Sequence, residues 1–135
     1  PNLIPLSPSP PPNTTTLVTL KSQLSRWQTQ ATETGAMHAA CLIINEQIIA
    51  CREDIGRHNA LDKLIGYIAN NQLDCDNMTV MITSRCSVEL INKAIIANIK
   101  TLVSLASPSE LAVKRAKRHQ LNLIHIPKID SPVYF

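Results

Sequence analysis

Aromatic residues are nearly missing from this sequence. Trp27, Tyr67, Tyr134 and Phe135 are the whole set among 135 residues. Domains that grip nucleic acid by stacking its bases need exposed rings, so no nucleic-acid partner is expected. The net charge of +3 is also too small to argue for one. Charged residues make up only 17% of the chain, against about 25% in an ordinary soluble domain. That shortfall hints at surface covered by a partner. There is no Cys-x-x-Cys pair among Cys41, Cys51, Cys75 and Cys86, which leaves zinc and redox motifs unsupported. No apolar run is long enough for a bilayer and no signal-peptide pattern is present. A cytoplasmic protein with reduced thiols and no membrane contact is therefore expected.

What is present is aliphatic. Hydrophobic residues reach 44%, enough for one domain with a core of Ile, Leu, Val and Ala. Six of the nine prolines fall in residues 1–13. This stretch reads as an extended, semi-rigid linker or tail outside the core, with the folded domain running from 14 to 135. The lack of an initiator Met agrees with a fragment of something longer.

Hydrophobic spacing predicts the elements. Leu17, Leu20, Leu24, Trp27 and Ala31 form a helical stripe over 15–31. Residues 39–44 and 47–51 are apolar runs around Asn45-Glu46, a hairpin signal. Neither run alternates with polar residues, so both faces of each strand are expected to be buried. A helix is predicted over 57–70, a strand over 78–83, a helix over 87–98 and a strand over 101–105. Ser107-Pro108-Ser109-Glu110 then reads as a helix start, with Ser107 as N-cap, Pro108 at the first helical position and Glu110 closing a capping box. A fifth strand follows over 121–126. The order implies an α/β fold with helices on both faces of a mixed five-stranded sheet.

In such sheets, ligands sit beyond the carboxyl ends of the strands. Those ends carry Arg52 to Asn59, Ser84-Arg85, Ser104 to Ser107, and Lys128 onward. The densest is Arg52-Glu53-Asp54-Ile55-Gly56-Arg57-His58-Asn59. Asp54 can cap the helix, Gly56 permits a tight turn, and the helix N-terminus favours an anion. Arg57 adds bidentate donors, with His58 and Asn59 beside it. An alternative is that Glu53/Arg57 and Asp62/Arg57 are ion pairs that only fix the loop. His38 is either a satisfied structural histidine or, in an antiparallel hairpin, a neighbour of Arg52 and His58. Cys86 follows Arg85 at another helix start, where a thiol can become reactive. Burial as a small apolar residue is the alternative there, as it is for Cys41 and Cys51. The run from Lys114 to His119 reads either as a helix C-terminus matched to its dipole or as an anion-binding surface.

TGAMHAACLI, ACREDIGRHNALDKLIGY, TSRCSVELINKA and SLASPSELAVKRA occur in this order. Together they resemble the formate dehydrogenase accessory sulfurtransferase family, FdhD, from about Leu3 to Tyr134. EDIGRHNALDK is the most specific of these segments. The resemblance implies a three-layer, cytidine-deaminase-like α/β/α fold and a homodimer. It implies sulfur taken as a persulfide from a cysteine desulfurase. That sulfur passes to the molybdenum or tungsten bis-guanine-dinucleotide cofactor, bound transiently as substrate, on behalf of formate dehydrogenase. In the family the persulfide forms on a Cys-x-x-Cys loop ahead of the proline-rich stretch. The chain is thus expected to be a C-terminal domain without that loop.

Carried onto this sequence, the expected cofactor-binding residues are His38, Arg57, His58, Asn59, Ser84, Arg85, Ser107, Ile126, Lys128 and Ser131. No catalytic residue is assigned, because the persulfide loop is missing, and no metal ligand or zinc, because the His-x-Glu and Pro-Cys-x-x-Cys pieces of the deaminases are absent. Two departures stand out. Thr83-Ser84-Arg85 replaces the family's usual Ser-Gly-Arg. His125 to Ser131 replaces a Gly- and Arg-rich stretch linked to cofactor binding, and only Lys128 keeps a positive charge there.

Overall fold

A computed structural model describes residues 3–28, 37–74, 76–128 and 131–135. Helix α1 covers Thr14–Gln23 and passes into a 3₁₀ turn at Leu24–Arg26. Strands β1 (His38–Ile44) and β2 (Gln47–Asp54) form a hairpin, followed by α2 (Arg57–Asn70). Then come β3 (Met78–Ile82), α3 (Val88–Ile96), β4 (Thr101–Ser104), α4 (Glu110–Arg118), β5 (Asn122–His125) and β6 (Val133–Tyr134).

The sheet has six strands in the order β2-β1-β3-β4-β5-β6. Five were expected, and the added one is β6. It has only two residues and no apolar pattern of its own. It exists because Val133 and Tyr134 pair antiparallel with His125 and Ile124. Strands β3, β4 and β5 are parallel. Strand β1 runs antiparallel to both β2 and β3, so β2 points the same way as the parallel set.

The apolar runs of β1 and β3 are explained by two cores. Ala40, Leu42, Val80, Ile82, Leu102 and Leu123 point to one face, where α2, α3 and α4 supply residues such as Leu61, Leu64, Leu90, Ile91 and Ala112. Cys41, Ile43, Met81, Val103 and Ile124 point to the other, under Leu17, Leu20 and Leu24. Every residue of β3 is buried, as a strand covered on both faces must be.

The hairpin turns on Asn45 and Glu46, both with positive φ (51° and 63°), as a two-residue type I′ turn demands. Helices α2, α3 and α4 all stop on a left-handed residue, Gln72, Asn98 and Gln120 in turn. After each, an apolar residue's N–H bonds back into the helix: Leu73 to Ile68, Ile99 to Ala94 and Leu121 to Ala116. These are glycine-free versions of a common C-terminal stop.

Three expectations shift. The first helix is shorter than 15–31: Trp27 lies beyond its 3₁₀ end and is exposed, and Ala31 is outside the described residues. The α4 N-cap is Ser109, whose hydroxyl accepts from the Ala112 N–H, and not Ser107. Pro108 sits in an isolated parallel bridge with Cys86, so it prolongs the β3–β4 pairing instead of opening the helix. The proline-rich stretch is extended, yet it sends Leu6 into the main core. It is tied down by Leu6 N–H to His119 O, by Asn122 Nδ2 to Ser9 O and by Tyr134 Oη to Pro12 O.

Candidate functional site

The carboxyl ends of β2 to β5 share one sheet edge, and the amino end of β1 joins them. His38, at the amino end of β1, stands opposite Asp54 in the β1–β2 register, while Arg52, expected beside it, stands opposite Ala40. Asp54 organises the turn into α2. One carboxylate oxygen accepts from the Gly56 N–H at 2.9 Å and from Asn59 Nδ2 at 3.4 Å. The other meets Lys63 Nζ at 2.8 Å. The Lys63 contact, then the Gly56 N–H, hold the Asp54 carboxyl down to about 2.

The α2 N-cap position is Gly56, not Asp54. Its backbone is extended (φ −91°, ψ 126°), which any residue adopts. What glycine supplies is room, because an added Cβ would lie 3.1 Å from Asn59 Nδ2. Asp62 pairs with Lys93 of α3 at 2.9 Å instead of with Arg57. Arg52 lays its guanidinium over the Tyr67 ring, 4.7 Å from the centroid, a cation–π contact that anchors the strand end to α2.

The bridge between Cys86 and Pro108 has a consequence for this edge. With the Ser109 N–H donating to Cys86 O at 3.1 Å, it sets the caps of α3 and α4 side by side. Ser87 caps α3 by accepting from the Leu90 N–H. A cleft of about 150 Å³ lies between these ends, lined by Arg57, Arg85, Cys86, Ser87 and Ser109. Two guanidiniums and two helix N-termini thus surround one small space, with α2 starting at Arg57. Such an arrangement favours an anion with several acceptor oxygens. Glu89 sets a limit on that positive field. Its carboxyl is held below its ordinary range by its own backbone N–H and the Ser87 hydroxyl, and less strongly by nearby His58 and Arg57.

Of the residues expected from sequence, Arg57 and Arg85 line the cleft. Asn59 is engaged with Asp54 at the α2 end, and His58 lies near Glu89. Ser84 is buried and its hydroxyl donates to Arg85 O. Its carbonyl accepts from the buried Ser104 hydroxyl, so the pair stiffens the strand ends. Ser107 is exposed, two residues before the true cap. Ile126 points into the α1-side core and gives its N–H to Ser104 O. Lys21 of α1 donates to Pro127 O. Ile126 and Pro127 therefore turn to the α1 face, away from the helices that frame the cleft. Lys128 and Ser131 are exposed.

Ser87, Ser109 and Cys86 were not in the expected set. The repeated pattern of a serine just ahead of an acidic residue, Ser87-Val88-Glu89 and Ser109-Glu110, marks both caps. Cys86 is buried, and burial pushes its thiol up to about 12, so it lines the cleft without the reactivity its position suggested. Among the described residues, no group of three or more His, Cys, Asp or Glu is placed to hold a metal ion. Nor is any helix there long and apolar enough to cross a membrane.

Comparison with known proteins bears on this edge. A family model for the FdhD/NarQ family matches residues 4–135. Sulfur carrier protein FdhD of Acinetobacter baylyi is 42% identical over 101 residues, 75% of this chain and 37% of that protein. The protein of the same name from Streptomyces coelicolor is 36% identical over 89% of this chain and 44% of its own length. The chain thus spans less than half of these curated relatives. A crystal structure from Desulfotalea psychrophila, described as a formate dehydrogenase accessory protein, superposes with a TM-score of 0.85 at 26% identity. That match covers 97% of this chain and 58% of the other.

Proposed function

Because the chain belongs to the FdhD/NarQ family, we propose that its polar sheet edge is the receiving half of a sulfur-delivery site. In this reading the edge binds the molybdenum or tungsten bis-guanine-dinucleotide cofactor as substrate, through its phosphates. A cysteine desulfurase supplies the sulfur, formate dehydrogenase is the client, and a cytoplasmic homodimer of cytidine-deaminase-like architecture is the working form. The observation that carries the reading is the cleft between the α3 and α4 N-termini with Arg57 and Arg85 on its walls.

At about 150 Å³ the cleft is below the several hundred Å³ that encloses a whole ligand. It therefore grips a phosphate while the rest of the dinucleotide lies along the edge. The 135 residues contain no Cys-x-x-Cys, and the thiol that lines the cleft keeps its proton. The edge accordingly positions a substrate and has no nucleophile of its own to deliver.

Guanosine diphosphate is the probe. Its titration is expected to shift the amide signals of residues 52–60 and 84–87. Arg57→Ala and Arg85→Ala should each weaken binding about tenfold or more, the usual loss for a charge-assisted contact. Silence at these amides would favour a second reading, a non-catalytic scaffold whose cofactor stretch has degenerated. The replacement of the Gly- and Arg-rich stretch by His125 to Ser131, of which Ile126 is core, favours that reading. Transfer of sulfur to the cofactor by the 135-residue chain alone would overturn the receiving role.

A further inference from the structure

Two thiols on the opposite face of the sheet from the cleft are not used by the proposed function. Cys41 and Cys51 are direct partners in the β1–β2 register, and their sulfurs lie 2.7 Å apart. A disulfide bond is roughly 2.05 Å long, so bond formation needs a movement of a fraction of an ångström. The two positions differ in access. Cys41 is fully buried on an inner strand, with Met81 of β3 as its other neighbour in register. Cys51 is half-buried and sits on β2, one of the two edge strands of the sheet. Around them are Ile43, Ile48, Leu17, Leu20 and Leu24.

We propose that Cys41 and Cys51 form a reversible dithiol–disulfide centre that reacts with small-molecule disulfides, Cys51 attacking and Cys41 resolving. Pairing in register at sulfur contact separates this pair from Cys86, which is as buried as Cys41 and, among the described residues, has no thiol facing it. The protonation pattern suits the roles. The hydrogen bond from Cys41 lowers the Cys51 thiol, and the same bond, with burial, raises that of Cys41. The outer sulfur is thus the nucleophile and the inner one keeps its proton.

The chemistry closes without a further reactant. The Cys51 thiolate attacks one sulfur of the disulfide RSSR, forming Cys51–S–S–R and releasing one thiolate, which takes up the proton Cys51 has lost. Cys41 then attacks the Cys51 sulfur and displaces the second thiolate, which receives the Cys41 proton. Two protein thiols are oxidised to one disulfide, and RSSR is reduced to two RSH.

The test uses the 135-residue chain in glutathione buffers of rising oxidised-to-reduced ratio, followed by acid quench, alkylation, intact mass and peptide mapping. The expected result is joint loss of two of the four thiols, a linked Cys41–Cys51 peptide, and full recovery in excess reduced glutathione. Cys41→Ser should stop at a mixed disulfide on Cys51. Cys51→Ser should leave Cys41 fully alkylatable after denaturation. The wild-type map stands even if a variant fails to fold. Persistence of both thiols across the series would overturn the proposal. So would a mixed disulfide on wild-type Cys51 that never closes onto Cys41, or closure onto Cys75 or Cys86. None of these results depends on cofactor binding, so this proposal and the cofactor reading fail separately.

Discussion

Asp54 shows how one carboxylate fixes the entrance to the candidate site. It binds the Gly56 N–H, the Asn59 amide and Lys63 together. Its folded-state pKa of about 2 lies below the roughly 3.9 of a free aspartate. A carboxylate depressed in this way stabilises the fold above about pH 4. The contribution fades as pH falls toward 2, because the unfolded chain then takes up the proton first. Asp54→Asn keeps an acceptor for Gly56 but loses the Lys63 pair. Urea midpoints measured from pH 5 to pH 2 should therefore fall less steeply for the variant than for the wild type. That Asp54 belongs to the start of α2 was legible, but as its cap, whereas the cap position is Gly56 and Asp54 accepts the Gly56 N–H. Its partner was not legible. Lys63 lies nine positions on, and only the length of α2's first turns and the bend at Gly56 bring its ammonium back. For the same reason Asp62 was mispaired: its cation comes from α3, and local spacing carries no sign of Lys93.

Elements were readable where packing dictates periodicity, and their ends were readable only where a side chain marks them. The long apolar faces of α2 and α3 and the buried runs of β1 and β3 all lie where hydrophobic spacing puts them. The helix stops do not announce themselves, since Gln72, Asn98 and Gln120 occupy left-handed positions that glycine usually fills. Strand β6 is invisible alone because pairing with β5 creates it. The α4 start was misread by two residues because two serines flank Pro108, and the choice between them rests on a long-range bridge to Cys86. The two serines can be told apart by experiment. Ser109→Ala should cost about 1 kcal/mol in a denaturant melt, the ordinary worth of an N-cap, while Ser107→Ala, exposed and uncapped, should stay within about 0.5 kcal/mol. Ser109 also lines the cleft, so Ser109→Ala alters one of its walls and belongs among the controls in any binding titration.

For the whole molecule, the mixed sheet follows from the order of elements, and so does the gathering of polar segments at one edge. What the order of elements does not contain is the proline-rich segment's place in the fold. Composition assigns it to solvent, because prolines remove donors and stiffen the backbone. Yet proline leaves carbonyls free, and the carbonyls of Ser9 and Pro12 are the acceptors that dock the segment. Leu6, an isolated apolar residue among prolines, has its side chain in the main core. Leu6→Ala should therefore destabilise the fold by about 2 kcal/mol or more. A residue in a free tail would change nothing, and equilibrium unfolding in urea distinguishes the two.

That docking also orders events in time. Leu6 bonds to His119, Ser9 to Asn122 and Pro12 to Tyr134. A ribosome releases residues 6–12 more than a hundred residues before the groups that will hold them. Until those groups emerge, none of these hydrogen bonds can form. Its prolines suit the wait, since an extended, donor-poor chain neither folds on itself nor adds to the edge of a growing sheet. The segment is thus translated ahead of the elements that fasten it, and its docking waits on theirs.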